Sequence, residues 1–224
     1  MLTRFSRRCY SLRPGICSTR THEQSMNEPQ NNPRNNPIDQ FGDWYEQARH
    51  AGIDKPNAMV LSTSTTDGKP SSRVVLLSSY SENGFVFHTN YLSHKGSEID
   101  QNPHVSLLFW WDELGYQVRI NGLAEKTTVE KSDAYFAGRP RGSQLGAWAS
   151  EQSQVITSRD VLDQRVADFT EKFDGITVSR PPHWGGYIVV PESIEFWINH
   201  DDRLHDRFQF PREGEGWRWQ RLAP

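Results

Sequence analysis

The chain has 224 residues and a formal net charge of −3, and 35% of its residues are hydrophobic while 12% are aromatic. This length is enough for one domain with a sizeable core. The slightly negative charge argues against a general nucleic-acid binder, so basic groups that bind anions must be placed locally. No apolar run approaches the roughly 20 residues that span a bilayer.

The N-terminal 36 residues differ in composition from the rest of the chain. Residues 1–22 contain five arginines and no acidic residue, a composition that resembles a mitochondrial transit peptide. A disordered basic tail on a cytosolic or bacterial protein explains the same composition. Residues 23–36 are rich in Asn, Gln and Pro and predict a linker. We therefore expect a tail over 1–36, a single domain over 37–224, and a cytoplasmic or mitochondrial location.

The first half of the domain predicts one helix followed by antiparallel strands. Pro37 suits a first helical position, apolar residues recur after it at helical spacing, and Gly52 ends the pattern. Asp67-Gly68 and Asn83-Gly84 are strong hairpin signals between strand-like runs. The predicted elements are strands over 58–63, 73–77, 85–89, 104–111 and 116–126 and a short helix over 93–101.

The second half predicts two helices and a return to strands. The helical patterns cover about 128–137 and 158–173, and the strand patterns cover 185–190, 193–199, 204–210 and 217–222. Many antiparallel strands with a few helices between them favour a closed or nearly closed barrel, which protects its edges. The fold class is therefore mainly β with peripheral helices.

One candidate anion site lies in the first half. Arg73 opens an otherwise apolar strand, and a charge there needs a partner if it is buried. Thr89, Ser93 and Lys95 follow a neighbouring strand and stand at a helix start, where two hydroxyls and an ammonium suit a phosphate. An exposed lysine and a salt-bridged arginine are the alternative, and spacing alone favours it.

A second candidate anion site combines Tyr135, Arg139 and Ser143, which are each four residues apart. Pro140 interrupts a single helix at this point, so a polar loop is the alternative. Gln117 lies inside a strand, where a buried amide would pair with the edge of a heteroaromatic ring. A solvent-facing glutamine on an alternating strand is the commoner arrangement.

Arg203, His205 and Arg207 are two residues apart, which in a strand places all three side chains on one face. Two guanidiniums around an imidazole suit an anionic, planar ligand. A solvated face paired with Asp201, Asp202 and Asp206 is equally compatible with this stretch alone.

Other chemistries lack a signal. The only cysteines, Cys9 and Cys17, precede the predicted domain, which therefore has no disulfide, thiolate metal site or cysteine nucleophile. The chain has no Gly-x-Gly-x-x-Gly, no phosphate-loop lysine, no Gly-x-Ser-x-Gly and no spacing of His, Asp and Glu typical of a metal site.

Five stretches in the same order resemble pyridoxamine 5′-phosphate oxidases, also called pyridoxine 5′-phosphate oxidases. The resemblance spans about Pro37 to Pro224. The stretches are Ser72-Arg73-Val74-Val75-Leu76-Leu77, Arg139-Pro140-Arg141-Gly142-Ser143-Gln144-Leu145-Gly146-Ala147-Trp148, Trp184-Gly185-Gly186-Tyr187, Glu195-Phe196-Trp197 with Arg203-Leu204-His205-Asp206-Arg207, and Arg221-Leu222-Ala223-Pro224.

The resemblance implies an FMN-binding split β-barrel with FMN at a homodimer interface. The family oxidises pyridoxamine or pyridoxine 5′-phosphate to pyridoxal 5′-phosphate. A hydride leaves substrate C4′ for flavin N5, and O₂ reoxidises the flavin and yields H₂O₂. With the amine substrate, hydrolysis of the imine releases ammonia. The protein itself chiefly orients the two rings.

Matching positions also imply residue roles. The FMN ligands would be Arg73, Val74, Val75, Leu76, Leu77, Ser78, His88, Thr89, Ser93, His94, Lys95, Gln117, Gln152, Ser153, Trp197 and Arg207, with Gln152 and Ser153 reaching FMN across the interface. The substrate ligands would be Ser78, Tyr135, Arg139, Ser143, Arg203, Leu204 and His205. Arg203 and His205 would cover the pyridine ring and are the expected catalytic residues. No metal, membrane or nucleic acid is expected.

Three positions depart from the family's pattern. Ser78 stands where a lysine is usual, His94 where an arginine is usual, and Ile198 where a glutamine is usual. The first two changes remove cations near anionic ligands, and a lost charge-assisted hydrogen bond costs about 1.5–3 kcal/mol. Two alternatives stay open: a related flavin oxidase of the phenazine-biosynthesis type, which resembles this chain at Ser78, and a non-catalytic binder of FMN or pyridoxal phosphate.

Overall fold

The computed structural model describes residues 33–224, and the predictions for residues 1–32 lie outside the described residues. Its helices are α1 Pro37–His50, α2 His94–Gln101, α3 Val129–Ala137, α4 Arg141–Ala149 and α5 Arg159–Lys172. Its strands are β1 Ala58–Ser64, β2 Pro70–Ser81, β3 Gly84–Asn90, β4 His104–Trp111, β5 Tyr116–Lys126, β6 Trp184–Ile198, β7 Asp206–Glu213, β8 Gly216–Trp217 and β9 Gln220–Leu222. Within residues 33–224, no helix is both long and apolar enough to cross a membrane.

Six strands close into an antiparallel barrel. They are hydrogen-bonded in the order β3-β2-β1-β4-β5-β6, and β3 pairs again with the first half of β6. Closure protects the backbone groups that an open sheet would expose at its edges. The far end of β6 pairs with β7, to which β8 and β9 are added. The predicted mainly β barrel is confirmed.

Large aromatic rings fill the barrel. Along β4, buried residues alternate with more exposed ones, so that Phe109 and Trp111 point into the core. Helix α1 starts at an Asn36 cap and adds Phe41, whose ring lies 4.9 Å from Phe85 and 5.1 Å from Phe109. A helix that places its apolar face on the barrel in this way is packing, as the sequence predicts.

A smaller apolar cluster holds the helices of the second half beside the start of β6. It consists of Phe136, Leu145, Phe173, Val178 and Trp184. These residues come from α3, α4, the C-cap of α5, the loop that follows it and the first position of β6. The cluster therefore fixes the segment around residues 135–150 against the end of the barrel at which β6 begins.

The structure corrects two local predictions. Residues 141–149 form helix α4 and not a polar loop, because Leu145 packs into the smaller cluster and outweighs the low helix propensity of Gly142 and Gly146. The two strands predicted over 185–199 are one strand, β6. Its pairing with β5 shifts register at Asn121/Gly122, and this bulge accommodates Pro191, which cannot donate to a regular ladder.

Candidate active site and cofactor site

Four polar side chains meet at the start of α2, and we call them the phosphate cradle: Thr89, Ser93, Lys95 and Gln152. The Lys95 ammonium donates to Thr89 Oγ1 at 3.2 Å, Ser93 Oγ at 3.2 Å and Gln152 Oε1 at 2.8 Å. Ser93 also caps α2, whose first backbone N–H groups favour an anion. The arrangement supplies one cation, hydroxyl groups and a helix N-terminus, which fits a phosphate monoester.

Lys95 is buried, and burial makes its ammonium group easier to deprotonate. Burial lowers the pKa of Lys95 to about 8, and the nearby Arg73 guanidinium adds to this effect. An arriving phosphate would reverse both influences, since an opposite charge favours the protonated amine. The phosphate cradle therefore favours binding of an anion.

Arg73 lies beside the cradle in a salt bridge, which is one of its two predicted arrangements. Its guanidinium donates to Thr63 Oγ1, Ser71 Oγ and the Leu61 carbonyl, and lies 3.3 Å from Glu98. Burial alone would raise the pKa of Glu98, but hydrogen bonds from Ser71 and Thr63 lower it below its usual value. Ionised Glu98 thus holds the side chain of Arg73 in place.

The loop after α4 folds back onto α2 of the same chain. Ser153 Oγ accepts the backbone N–H of His94 at 3.2 Å, and the His94 ring lies 3.4 Å from Glu98. Gln152 reaches Lys95 in the same way. Gln152 is therefore part of the cradle of its own chain, and Ser153 contacts the first residue of α2. The expected reach of these two residues across an interface stays a prediction.

A cavity of about 350 Å³ adjoins the cradle and contains part of the second candidate anion site. Arg139 and Ser143 line it, and so do Thr89 and Gln152 of the cradle. The Arg139 guanidinium lies over the Trp184 ring at 4.5 Å, and its Nη1 is buried without a hydrogen-bond partner among the described residues. A guanidinium that lines a cavity and keeps one nitrogen unpaired is suited to bind an oxyanion.

The strand that leads to this cavity divides its predicted ligands between two faces. Val74 and Leu76 on β2 are 65% and 50% exposed, whereas Leu77 is in the core and Val75 packs against it. His88 lines the cavity, and its Nδ1 lies within hydrogen-bond distance of Ser78 Oγ, which is not part of the lining. The side chains of this run therefore cannot all meet one ligand.

Three predicted ligands, Gln117, Trp197 and Arg207, lie in a row across neighbouring strands that also contains Trp110, which was not predicted. Trp110, Gln117, Trp197 and Arg207 are successive register partners on β4, β5, β6 and β7. The Trp197 ring lies 5.7 Å from Trp110. The row joins two indole rings, an amide and a guanidinium, which suits a flat heteroaromatic ring.

Glu195 fixes the guanidinium at the end of this row. Its carboxylate is buried and accepts from Arg207 Nε at 2.9 Å, while Arg119 binds its other oxygen. Arg207 also donates to the Ala223 carbonyl at 3.0 Å, which ties down the C-terminal residues. Neither Glu195 nor Glu98 was predicted as a functional residue, although a lone acid between Ile194 and Phe196 is a detectable signal.

The predicted Arg-His-Arg strand face is wrong. Residues Asp201–Arg203 form a 3-10 turn, and β7 begins only at Asp206. Asp202 and Arg203 have positive φ angles of 56° and 60°, a conformation that interrupts a strand. Exposed Leu204 and half-buried His205 follow in irregular backbone, so only Arg207 lies on the strand.

His205 nevertheless lies beside the aromatic row. Its ring is 4.4 Å from Trp197, and its Nδ1 accepts the backbone N–H of His200 at 3.2 Å. A ring that accepts at Nδ1 carries its proton on Nε2 when it is neutral. His205 can therefore offer one N–H donor at the row.

The two groups of ligands lie at opposite ends of β6. The cavity touches Trp184 at the first position of this strand, and the aromatic row includes Trp197 near its last. At about 3.3 Å per residue, these positions are up to about 40 Å apart along the strand. One chain thus carries two separate half-sites. We call them the cradle half, with the cavity, and the aromatic half, with Arg203 and His205.

Comparison with known proteins decides the family. A family model described as pyridoxamine 5′-phosphate oxidase matches residues 45–173, more than half of the chain. A second model, for the C-terminal dimerisation region of pyridoxine 5′-phosphate oxidase, matches residues 184–224. The chain belongs to the pyridoxamine 5′-phosphate oxidase family. The predicted family is therefore confirmed.

Curated relatives of this family are similar in sequence to the chain over most of their length. The pyridoxine/pyridoxamine 5′-phosphate oxidase of Rubrobacter xylanophilus is 58% identical over 187 residues, which cover 84% of this chain and 86% of the relative. The protein of the same name from Acaryochloris marina is 51% identical over 185 residues, which cover 83% and 84%. These matches confirm that the chain is an oxidoreductase of this family.

A solved structure supports the same fold from another branch. PhzG from Burkholderia lata, in complex with tetrahydrophenazine-1-carboxylic acid, is 34% identical with a TM-score of 0.81, over 86% of this chain and 94% of that one. An FMN-binding relative from Nostoc punctiforme is 15% identical with a TM-score of 0.67, which shows the shared fold. The split barrel is confirmed, and so is FMN as the cofactor.

Proposed function

We propose that the protein oxidises pyridoxamine or pyridoxine 5′-phosphate with O₂ to pyridoxal 5′-phosphate, H₂O₂ and, from the amine, ammonia, in the synthesis and salvage of vitamin B6. The observation that carries this proposal is the cavity beside the cradle. It has the orphaned Arg139 guanidinium on one wall and the cradle residues Thr89 and Gln152 on another. Two adjacent anion sites suit one phosphate of a cofactor and one of a substrate.

The chain's own residues bind and orient. Lys95, Thr89 and Ser93 would hold the FMN phosphate, while Arg139, Ser143 and Tyr135 would hold that of the substrate. Bound FMN supplies the acceptor for the C4′ hydride and the route for electrons to O₂. Trp197 and Arg207 would hold the flat ring of the flavin. His205 would direct its Nε2–H at the polar edge of the substrate, with Arg203 covering the substrate ring.

A complete site under this proposal draws on two chains. The cradle half and the aromatic half lie at opposite ends of the 15-residue strand β6, an arrangement that suits a flavin bound between two chains better than one bound within a single chain. The outer face of the barrel also exposes apolar residues, with Val74 65%, Leu76 50% and Trp110 50% exposed. Such a patch is typical of an interface, and a twofold homodimer would bring each cradle half to the partner's aromatic half.

One assay tests the function. The purified protein is loaded with FMN, its flavin spectrum is recorded, and pyridoxine or pyridoxamine 5′-phosphate is added under air. We expect pyridoxal 5′-phosphate and H₂O₂ in equal amounts. A yellow protein that forms neither product would exclude the proposed reaction, and a protein that takes up no FMN would exclude flavin chemistry altogether.

A second candidate is oxidation of a reduced phenazine carboxylate. The likeness to PhzG favours it, together with Ser78 at a position where the resemblance leads us to expect lysine. The presence of Tyr135, Arg139 and Ser143 supports the phosphorylated substrate instead. Parallel assays with a dihydrophenazine carboxylate and pyridoxine 5′-phosphate separate the two, since the proposed function predicts turnover of the phosphate ester only.

A further inference from the structure

Two adjacent strands place a histidine at the wall of the cavity and a serine behind it. Where β2 pairs with β3, the register shifts between Leu77 and Ser79. Such a bulge re-aims the side chain within it. That side chain is Ser78, whose Oγ lies 2.8 Å from Nδ1 of His88 on β3. The hydroxyl therefore fixes the plane of the imidazole.

The imidazole belongs to a stack of planar groups that reaches the cavity. The His88 ring lies 3.7 Å from the Tyr135 ring, with 5° between their planes, and 5.3 Å from the Trp184 ring, with 15° between them. The Arg139 guanidinium covers Trp184. Tyr135 itself is 43% exposed, so contact with His88 sets the orientation of its ring.

The charge state of the imidazole suits this packing. Burial, together with the nearby Arg139 guanidinium, lowers the pKa of His88 to about 4. At neutral pH the ring is uncharged, so it stacks on the phenol ring without adding a second cation to the cavity. Arg139 remains the charged group at this wall.

We propose that His88 is a positioning residue of the substrate pocket. Locked by Ser78, its imidazole holds the Tyr135 ring so that the phenol and Arg139 grip the substrate phosphate together. The inference rests on the proposed function, which gives that phosphate to Tyr135 and Arg139. It moves His88 from the flavin ligands to the substrate pocket, and it makes Ser78, predicted as a ligand of both FMN and substrate, a support of the imidazole. It also gives Ser78 a task that a lysine at this position would not perform.

The test measures two dissociation constants on the full chain. The first is that of FMN, from fluorescence titration of the apoprotein. The second is that of 4-deoxypyridoxine 5′-phosphate, which lacks the oxidisable group, from equilibrium dialysis against the FMN-loaded protein. Because His88→Ala loses the ring stack, it should weaken binding of the analogue by about tenfold and binding of FMN by less than about twofold.

Two further variants separate positioning from general packing. His88→Phe keeps a flat ring and should restore most of the analogue affinity. Ser78→Ala should weaken the analogue about three- to fivefold, the value of one hydrogen bond. Adding Ser78→Ala to His88→Phe should not weaken binding of the analogue any further, because Ser78 acts only through the imidazole. His50→Ala, at an exposed position at the end of α1, is the matched control and should change neither constant.

Three results would overturn the inference. They are a loss of FMN affinity with the analogue unaffected, additive effects of the two positions, and no change in either constant. Arg139→Ala is measured alongside, because if it binds the analogue like the wild type, the phosphate pocket itself is misplaced and the proposed function fails with it. If circular dichroism shows that His88→Ala is unfolded, His88→Phe and Ser78→Ala make the same comparison.

Discussion

Under the proposed function, single buried charges decide where the two phosphates bind. The cradle depends on one ammonium, that of Lys95, which burial has brought to a pKa of about 8. Arg139 depends on burial in the same way, since desolvation lowers its pKa and leaves Nη1 without a partner among the described residues. Both groups gain most when a phosphate arrives, because it supplies the charge that the surrounding protein withholds.

The state of Lys95 makes the affinity for FMN depend on pH. The phosphate is already a dianion above about pH 7. As the pH rises through about 8, apoprotein Lys95 loses its proton and the cradle loses its cation. We expect the FMN dissociation constant to rise about tenfold between about pH 7 and about pH 9. Fluorescence titration at several pH values measures it.

Lys95→Arg is the control for this prediction. A guanidinium keeps its charge throughout the range, so the variant should show a flat profile. The same upward slope in Lys95→Arg would show that another group titrates.

At the scale of elements, a close contact between α2 and the end of β3 sets the cradle. A Cβ on Gly96 would lie 2.0 Å from the Tyr91 carbonyl oxygen, so only glycine permits this approach. Gly96→Ala should push the helix start away, destabilise the protein by about 1–3 kcal/mol and weaken FMN binding. Urea unfolding and FMN titration measure the two effects.

Gly142→Ala provides the matched helical control. A Cβ there meets nothing within 4 Å, so alanine should leave FMN binding unchanged. Equal stability and equal FMN affinity of the two alanine variants would contradict a close contact at Gly96.

The aromatic half depends on a carboxylate that joins β5, β6 and β7. Glu195 pairs with Arg119 and Arg207, and Glu195→Gln would leave both guanidiniums with a neutral partner. We expect a loss of about 2 kcal/mol in the free energy of unfolding, below the 3–5 kcal/mol of a fully buried pair because the arginines reach solvent. Glu192→Gln, on the same strand but exposed, should change it by less than about 0.5 kcal/mol. Similar urea midpoints for the two variants would refute this role.

Local signals explain which elements the sequence predicts well. Pro37, Asp67-Gly68 and Asn83-Gly84 act through their own backbone preferences, so α1 and the first hairpins follow from them directly. Helix α4 does not, because distant packing of Leu145 overrides its glycines. The interruption at Asp202 and Arg203 is also invisible in an alternating pattern of charges.

The candidate site shows the same division. The ligands come from motifs that lie close together in sequence, so the resemblance locates them. Their supports join residues far apart in the chain, such as Glu98 with Arg73 and Ser78 with His88. Such pairs are fixed by strand register, and a bulge decides the second one. Residue patterns alone do not reveal them.

For the whole molecule, the arrangement of the half-sites implies shared catalysis. The C-terminal region that matches a dimerisation model contains β6 to β9 and therefore the aromatic half, apart from Trp110 and Gln117. The cradle half lies at the other end of β6. A twofold dimer would then hold two complete sites, each made from both chains.

Complementation between two inactive variants tests whether each active site is made from both chains of the dimer. Lys95→Ala removes the cradle cation, and Arg207→Ala removes the guanidinium of the aromatic half. In mixed dimers of the two, one site would carry both changes and the other would be intact. After random mixing, we predict that oxidation of pyridoxine 5′-phosphate returns to about a quarter of the wild-type rate. No recovery above the separate variants, in a sample shown to contain mixed dimers, would contradict the shared site.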